Sequence, residues 1–184
     1  MSMATPGPFK LMLVRHGEKP VEPPPYGVTE AGEQNGYSLC VRGWERAGAL
    51  VAFFAKPSHP AIATPDVIYA SATTNDVAIE PIDAKSLRPR ETVTPLARRL
   101  GCPFRTQIPV GDETGLVSAL QAETGCVLVA WEHKRIPLIA AGFIEDPPAW
   151  GDRFDAVWVL DRGDDGEYAF SIVAQDVLDG DAPA

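Results

Sequence analysis

Apolar residues of this chain occur in two patterns, as continuous runs and at helical spacing. Three continuous runs, at residues 9–14, 67–70 and 126–131, predict buried strands, because a strand covered on both faces carries apolar side chains at nearly every position. Two further runs, 156–160 and 168–173, flank a turn rich in Gly and Asp and predict a C-terminal hairpin. The helices are predicted in the segments between these strands.

Helical spacing is clearest after the first strand. Ala47, Leu50 and Phe54 recur every three or four positions, and this spacing predicts an amphipathic helix over 42–54. Proline at a helix start and glycine after a helix end predict more helices, at 89–100, between 112 and 125, and at 136–141. Strands that alternate with helices predict a three-layer α/β/α sandwich with a mostly parallel central sheet and a C-terminal antiparallel hairpin.

Composition and charge narrow the class of protein. The length of 184 residues predicts a single domain over 9–178, with a flexible segment at 1–8 and a disordered tail at 179–184. The net charge of −9 argues against binding to nucleic acid or to an acidic membrane, since both need a basic surface. We expect no membrane span, because no apolar stretch approaches about 18 residues. We expect no secretory leader, because residues 1–8 have no basic segment followed by an apolar one. The three widely spaced cysteines predict reduced thiols and hence a cytoplasmic protein.

Two histidines directly follow predicted strands. His16 comes just after the run at 9–14, and His133 comes just after the run at 126–131. Ligands of open α/β sheets bind beyond the carboxyl ends of the strands, so both histidines are expected at one crevice. An imidazole beside Arg15 suits nucleophilic attack on a phosphoryl group, with the arginine neutralising the phosphate oxygens.

Three segments of the chain resemble one known family. The tetrapeptide Val-Arg-His-Gly at 14–17 resembles the Arg-His-Gly signature of the histidine phosphatase superfamily, also called the phosphoglycerate-mutase-like family. Residues 127–133 are similar to the second strand-then-histidine element of that family. Residues 88–97 are similar to its Arg-Ala-x-Gln-Thr-Ala segment, with Glu91 where the family has Gln.

The resemblance implies roles for individual residues. It implies that His16 is the nucleophile and becomes phosphorylated. Arg15 and Arg88 are implied to hold the phosphoryl oxygens, since two guanidinium groups suit a phosphoryl dianion. His133 is implied to donate a hydrogen bond to one of these oxygens. Arg90 is the alternative to Arg88 in the second arginine position.

The remaining expected parts of the site are a general acid and the charged residues at the entrance of the crevice. The resemblance implies a carboxylate, ahead of the last histidine strand, that protonates the leaving group. Glu113 fits this position and Asp112 is the alternative, although both residues also suit the capping of the helix that starts there. Lys19 is expected to bind substrate. Glu18 stands where many mutases of the family have Thr or Ser, and its carboxylate is expected to repel a strongly anionic substrate.

The predicted function is a metal-independent phosphatase that hydrolyses phosphate monoesters through a phosphohistidine intermediate. The sequence has no Cys/His ligand cluster and no Gly-rich phosphate loop, so we expect no metal and no cofactor. The expected partner is a phosphorylated small molecule or a phosphoprotein, and the oligomeric state stays open. Two alternative functions also stay open: a phosphate-binding or regulatory module with weak or no catalysis, and a small-molecule phosphomutase.

Overall fold

A mixed six-stranded sheet forms the centre of the described part of the protein. The computed structural model describes residues 7–22, 24–73 and 85–182. In chain order its strands are β1 (Lys10–Arg15), β2 (Val67–Ala70), β3 (Phe104–Arg105), β4 (Cys126–Trp131), β5 (Ala156–Arg162) and β6 (Tyr168–Ala174). The order across the sheet is β3-β2-β4-β1-β5-β6. The pairs among β1 to β4 are parallel, and the hairpin of β5 and β6 adds the antiparallel pairs.

Helices cover both faces of this sheet. They are α1 (Val41–Ala55), α2 (Arg88–Leu100), α3 (Glu113–Gln121) and α4 (Ile136–Ala140). Apolar side chains of α1 and α2 pack against one face, and those of α3 and α4 pack against the other. Phe54 and Leu116 are fully buried in these two layers, and each such burial stabilises the fold by about 2 kcal/mol. The predicted three-layer α/β/α sandwich with its parallel sheet and C-terminal hairpin is confirmed.

Apart from shifts of one or two residues at element ends, the elements differ from the predictions at two places. β3 has two residues, which are too few to produce an apolar run, so the pattern does not reveal it. α3 ends at Gln121, whereas the prediction extended this helix to Gly125. Gly125 has a φ of +74° and turns the chain into β4. Of the loop predicted from Ser71 onward, residues 74–84 lie outside the described residues.

Both ends of the described chain are held by side-chain contacts. Tyr168 donates a hydrogen bond of 2.7 Å to the carbonyl of Pro8, and the carboxylate of Asp181 lies 2.7 Å from Arg46. These contacts involve Pro8 and Asp181, and the flexible N-terminal segment and disordered tail stay predictions. Residues 1–6 and 183–184 lie outside the described part.

The helices of the described chain are short. The longest, α1, has 15 residues. A helix needs about 20 apolar residues to cross the hydrocarbon core of a bilayer. Among the described residues, no helix is long and apolar enough to span a membrane.

Candidate active site

The carboxyl ends of β1 and β4 lie side by side. The two strands are parallel neighbours, and their register pairs Arg15 with Trp131. His16 follows β1 and donates its backbone N–H to the Trp131 carbonyl at 3.1 Å. His133 follows β4, and the two histidines line the same cleft. The sheet thus brings together two residues that are far apart in the sequence.

The imidazole of His16 is neutral and fixed in one orientation. The side chain is only 5% exposed, and its Nδ1 donates a hydrogen bond of 2.8 Å to the Gly17 carbonyl. Burial lowers the pKa of His16 to about 3, with Arg88 and Arg15 acting in the same direction against that hydrogen bond. Because a carbonyl can only accept, Nδ1 carries the proton and Nε2 carries the lone pair. A neutral, oriented imidazole can act as a nucleophile near pH 7.

The loop after His16 is held against α1 and α2. The Gly17 N–H donates to Thr92 Oγ1 at 2.7 Å, and this hydroxyl donates to the Arg88 carbonyl at 2.7 Å. A Cβ atom at Gly17 would lie only 3.0 Å from the carbonyl oxygen of Gly43 in α1, so the absence of a side chain permits this close approach. These contacts fix the position of His16 relative to the first turn of α2.

Two arginines approach His16 from different elements. Arg15, at the end of β1, donates from Nη1 to the Asp152 carbonyl at 2.7 Å, and its guanidinium lies 3.7 Å above the Phe154 ring. Arg88, the first residue of α2, donates from Nη1 to the Gly36 carbonyl at 3.2 Å. Burial lowers the pKa of both groups, but an arginine remains charged at neutral pH. Two fixed positive charges therefore flank the neutral imidazole.

Four buried polar side-chain atoms in the described chain have no hydrogen-bond partner. They are Arg15 Nε, Ser86 Oγ, Arg88 Nε and His133 Nδ1. All four residues line one cleft of about 300 Å³, which His16 also lines; we call it the His16 cleft. Buried polar groups are almost always paired, so a cluster of unpaired ones marks a place where a ligand can supply the partners.

His133 contributes a neutral ring to the cleft. Its Nδ1 lies 2.8 Å from Glu132 Oε1, an ion-pair contact when the ring is protonated, but this nitrogen makes no hydrogen bond within the described part of the chain. Burial and the positive charge of Arg15 lower the pKa of His133, although Glu132 acts in the opposite direction. In the neutral ring one nitrogen carries a proton, and it can be donated to a phosphoryl oxygen.

The charge of the His16 cleft suits an anion. Glu132 is the carboxylate among its described lining residues, and five cations accompany it: Arg15, Lys19, Arg88, Lys134 and Arg135. An excess of fixed positive charge in a concave site attracts phosphate and similar oxyanions. Among the described residues, no three His, Cys, Asp or Glu side chains converge as a metal site requires.

Comparison with known proteins finds a likeness in structure but not in sequence. No family model matches the chain, and no curated protein sequence matches it. A solved structure does match: the protein histidine phosphatase SixA complexed with tungstate, with a TM-score of 0.55 and 13% sequence identity, over 90% of this chain and 97% of that chain. The chain has the histidine phosphatase fold. The resemblance predicted from the sequence is thus confirmed as a likeness of structure.

In this histidine phosphatase fold, the two carboxylates predicted as general acid lie outside the residues that line the cleft. Glu113 is buried, and its Oε1 accepts hydrogen bonds from the Gly111 N–H at 2.9 Å and from Trp131 Nε1 at 3.1 Å. Asp112 caps α3 by accepting from the Gly115 N–H at 3.0 Å. Both carboxylates therefore have structural partners at the start of α3.

The alternative arginine also points elsewhere. Arg90 Nη2 donates to Thr106 Oγ1 at 3.4 Å, and Arg90 is not among the residues that line the His16 cleft. Arg88 and Lys19 do line it. Of the two arginines weighed for the second position, the histidine phosphatase fold brings Arg88 to His16.

Sequence reasoning missed two hydroxyl residues of the site, Ser86 and Thr92. Ser86 lines the cleft with an unpaired Oγ, and Thr92 links Gly17 to the first turn of α2. The signal available for Ser86 is its position just before a helix that begins with an arginine, since helix N-termini with a nearby hydroxyl favour anions. Thr92 gives no such signal, because its partner is 75 residues away in the sequence.

Glu18 does not present a free carboxylate to the cleft. Arg46 Nη2 lies 2.7 Å from its Oε1, and Arg42 Nε lies 3.4 Å from the same oxygen. The expectation that Glu18 repels an anionic substrate therefore does not hold, because two arginines neutralise its charge. The sequence argument that Glu18 disfavours a mutase is removed with it.

Proposed function

We propose that this protein is a metal-independent phosphatase that hydrolyses phosphate monoesters through a phosphohistidine on His16. The observation that carries the proposal is the cluster of unpaired polar atoms from Arg15, Ser86, Arg88 and His133 around the cleft of His16. A phosphoryl group has three oxygens that accept hydrogen bonds, and these oxygens can supply the partners that the unpaired atoms lack. The neutral imidazole supplies the nucleophile.

The proposed reaction has two displacement steps. In the first, Nε2 of His16 attacks phosphorus, the bond between phosphorus and the ester oxygen breaks, and its electron pair leaves with that oxygen. In the second, the oxygen of a water molecule attacks the phosphorus, and the bond from phosphorus to Nε2 breaks, which returns its electron pair to the imidazole and releases inorganic phosphate. The water gives up one proton to solvent, and this balances the proton that the departing alcohol takes up. Arg15 and Arg88 offset the negative charge on the transferring oxygens, and His133 donates a hydrogen bond to one of them.

The likeness to SixA supports this proposal. That protein is a protein histidine phosphatase, and its matching structure contains tungstate, which is a tetrahedral oxyanion like phosphate. Its name favours a phosphoprotein as one class of substrate for this chain, beside a phosphorylated small molecule. At 13% identity the likeness concerns the fold, so the residues of the His16 cleft carry the functional argument.

A second candidate function is a phosphate-binding module with little turnover. The position of Glu113 favours it, because this buried carboxylate accepts two hydrogen bonds, lies 3.8 Å from Arg135 and is not among the residues that line the cleft. Without a proton donor an alkoxide is a poor leaving group. This candidate predicts tight phosphate binding with slow hydrolysis of alkyl phosphates.

The test is phosphate release from a panel of aryl and alkyl phosphate monoesters in the presence of a chelator. We expect the wild type to turn over at least the aryl esters, and His16→Asn to lose about a thousandfold or more of kcat. His59→Ala is the matched control, since His59 is an exposed histidine in the loop after α1. No release from any ester, with inorganic phosphate still binding, would replace the phosphatase by the binding module.

A further inference from the structure

A second and larger cleft of about 720 Å³ adjoins the His16 cleft. We call it the Phe154 cleft. The two clefts share four lining residues: Arg15, Lys19, His133 and Lys134. The Phe154 cleft is therefore the neighbouring space toward which the ester of a phosphoryl group bound beside His16 can extend, and a space of this size holds a small organic molecule.

Part of the Phe154 cleft is apolar. The Phe154 ring is held beneath the Arg15 guanidinium at 3.7 Å, and Val21 and Pro25 also line the cleft. Val21 is 85% exposed, so its side chain is available to a ligand. A hydrocarbon group placed against these residues would remove apolar surface from water, which favours binding.

The charge of the Phe154 cleft depends on which of its ions already have partners. Glu18 is neutralised by Arg46 and Arg42, and the negative charge of Asp152 acts on Arg15. Lys19 and Lys134 also line the cleft. Neither lysine has an ion pair or hydrogen bond in the described part of the chain. The two lysines therefore outnumber the one lining carboxylate that has no ion pair among the described residues, Asp152, although the chain as a whole has a net charge of −9.

We propose that the Phe154 cleft binds the leaving group and selects phosphate monoesters of apolar alcohols that carry an anionic group of their own. The apolar part would pack against Phe154 and Val21, and the anionic group would pair with Lys19 and Lys134. This inference rests on the proposed function, because it places the ester oxygen beside His16. It adds the chemical class of the substrate.

The test compares two aryl phosphates of matched shape. They are 4-(carboxymethyl)phenyl phosphate and its neutral amide, 4-(carbamoylmethyl)phenyl phosphate. The methylene group insulates the phenol from the substituent, so the two leaving groups have similar acidity and differ mainly in charge. We expect kcat/KM to be about fivefold higher for the carboxylate at low salt, and the ratio to fall at high salt because the lysines are solvent-accessible.

Variants assign this preference to the two lysines. Replacing both (Lys19→Ala with Lys134→Ala) should bring the ratio of the two esters to about 1, and replacing both by arginine should retain the preference. Lys56→Ala is the matched control, because Lys56 is an exposed lysine at the opposite end of α1 from this cleft. The ratio, rather than the absolute rate, is the readout, since a general loss of activity would lower both esters alike.

Binding of the corresponding benzylphosphonates, which cannot be hydrolysed, separates this inference from the proposed function. Hydrolysis of both esters at equal kcat/KM, or a preference that survives the double variant, would overturn the leaving-group cleft and leave the phosphatase intact. A lysine-dependent binding preference without any hydrolysis would reject the phosphatase and the leaving-group role, and would keep the Phe154 cleft as the binding site of the anionic group. The absence of both hydrolysis and binding preference would overturn both.

Discussion

The buried arginines of this chain differ in how completely their nitrogens are hydrogen-bonded. Arg46 in α1 is 1% exposed, and its nitrogens donate hydrogen bonds to Glu18, Gln175 and Asp181. Arg15 is 5% exposed, and Arg88 is partly buried, yet each has a buried Nε without a partner. Side chains of the fold provide hydrogen-bond partners for Arg46, whereas one buried nitrogen of Arg15 and one of Arg88 have none among the described residues.

The pKa directions express the same contrast. Burial alone would lower the pKa of Arg46, but hydrogen bonds to Asp181 and Glu18 raise it above its ordinary value. For Arg88, burial is the largest influence and lowers the pKa, with Glu91 offsetting only part of it. A buried charge without internal partners costs stability unless a ligand pairs with it. The difference separates an ion cluster whose charges are paired within the fold from one that we propose to bind an anion.

Removing Arg88 should have the larger effect on activity. We expect Arg88→Ala to lower kcat/KM by between about a hundredfold and a thousandfold, because a donor to the transferring oxygens is lost. The unfolding free energy should hardly fall, since the wild-type side chain has an unpaired buried nitrogen. Steady-state kinetics on an aryl phosphate, with denaturant unfolding alongside, provides both values.

Arg90→Ala is the control for this experiment. Arg90 lies in the same turn of α2 and contacts Thr106 instead of lining the cleft, so we expect its loss to change kcat/KM by less than about threefold. The reverse ranking of the two variants would assign the second arginine position to Arg90.

Removing Arg46 should affect stability instead. Arg46→Ala leaves the carboxylates of Glu18 and Asp181 with the more distant and exposed Arg42 in place of a buried partner, and we expect the free energy of unfolding to fall by about 3 kcal/mol. Arg42→Ala is the comparison, because Arg42 is 44% exposed and pairs with Glu18 at 3.4 Å; its loss should cost at most about 1 kcal/mol. Urea unfolding of both variants measures this. Equal stability of the two variants would show that burial does not set the strength of the Arg46 cluster.

The contrast also explains which features the sequence can predict. β1, β2 and β4 follow from continuous apolar runs, and His16 and His133 follow from their positions at strand ends. The Arg46 cluster cannot be predicted in this way, because Asp181 is 135 residues from its partner. The order of the elements predicts which strand ends lie side by side. The pairing of charged side chains depends instead on the paths of the loop that carries Glu18 and of the C-terminal segment that carries Asp181.

Ser86 should contribute less than the arginines. Its hydroxyl is neutral, so we expect Ser86→Ala to weaken inhibition by inorganic phosphate or tungstate by about fivefold, the amount of one hydrogen bond. Ser86→Thr keeps a hydroxyl and should retain most of the affinity, and Ser58→Ala is an exposed serine control. An inhibition constant that Ser86→Ala leaves unchanged would remove Ser86 from the anion site and leave its unpaired Oγ unexplained.

Glu113 resembles Arg46 in that it is buried and has hydrogen-bond partners within the fold. Its substitution should have the smallest effect on kcat/KM. The amide oxygen of Glu113→Gln can still accept from the Gly111 N–H and from Trp131 Nε1, and the lost ion pair with Arg135 is a long one of 3.8 Å. We therefore expect kcat/KM to change by less than about threefold for phenyl phosphate and for ethyl phosphate alike. The two substrates together test whether Glu113 is the general acid, because a leaving alkoxide needs protonation far more than a leaving phenolate does. A large loss confined to ethyl phosphate would make Glu113 the general acid and require its side chain to turn into the cleft during the reaction.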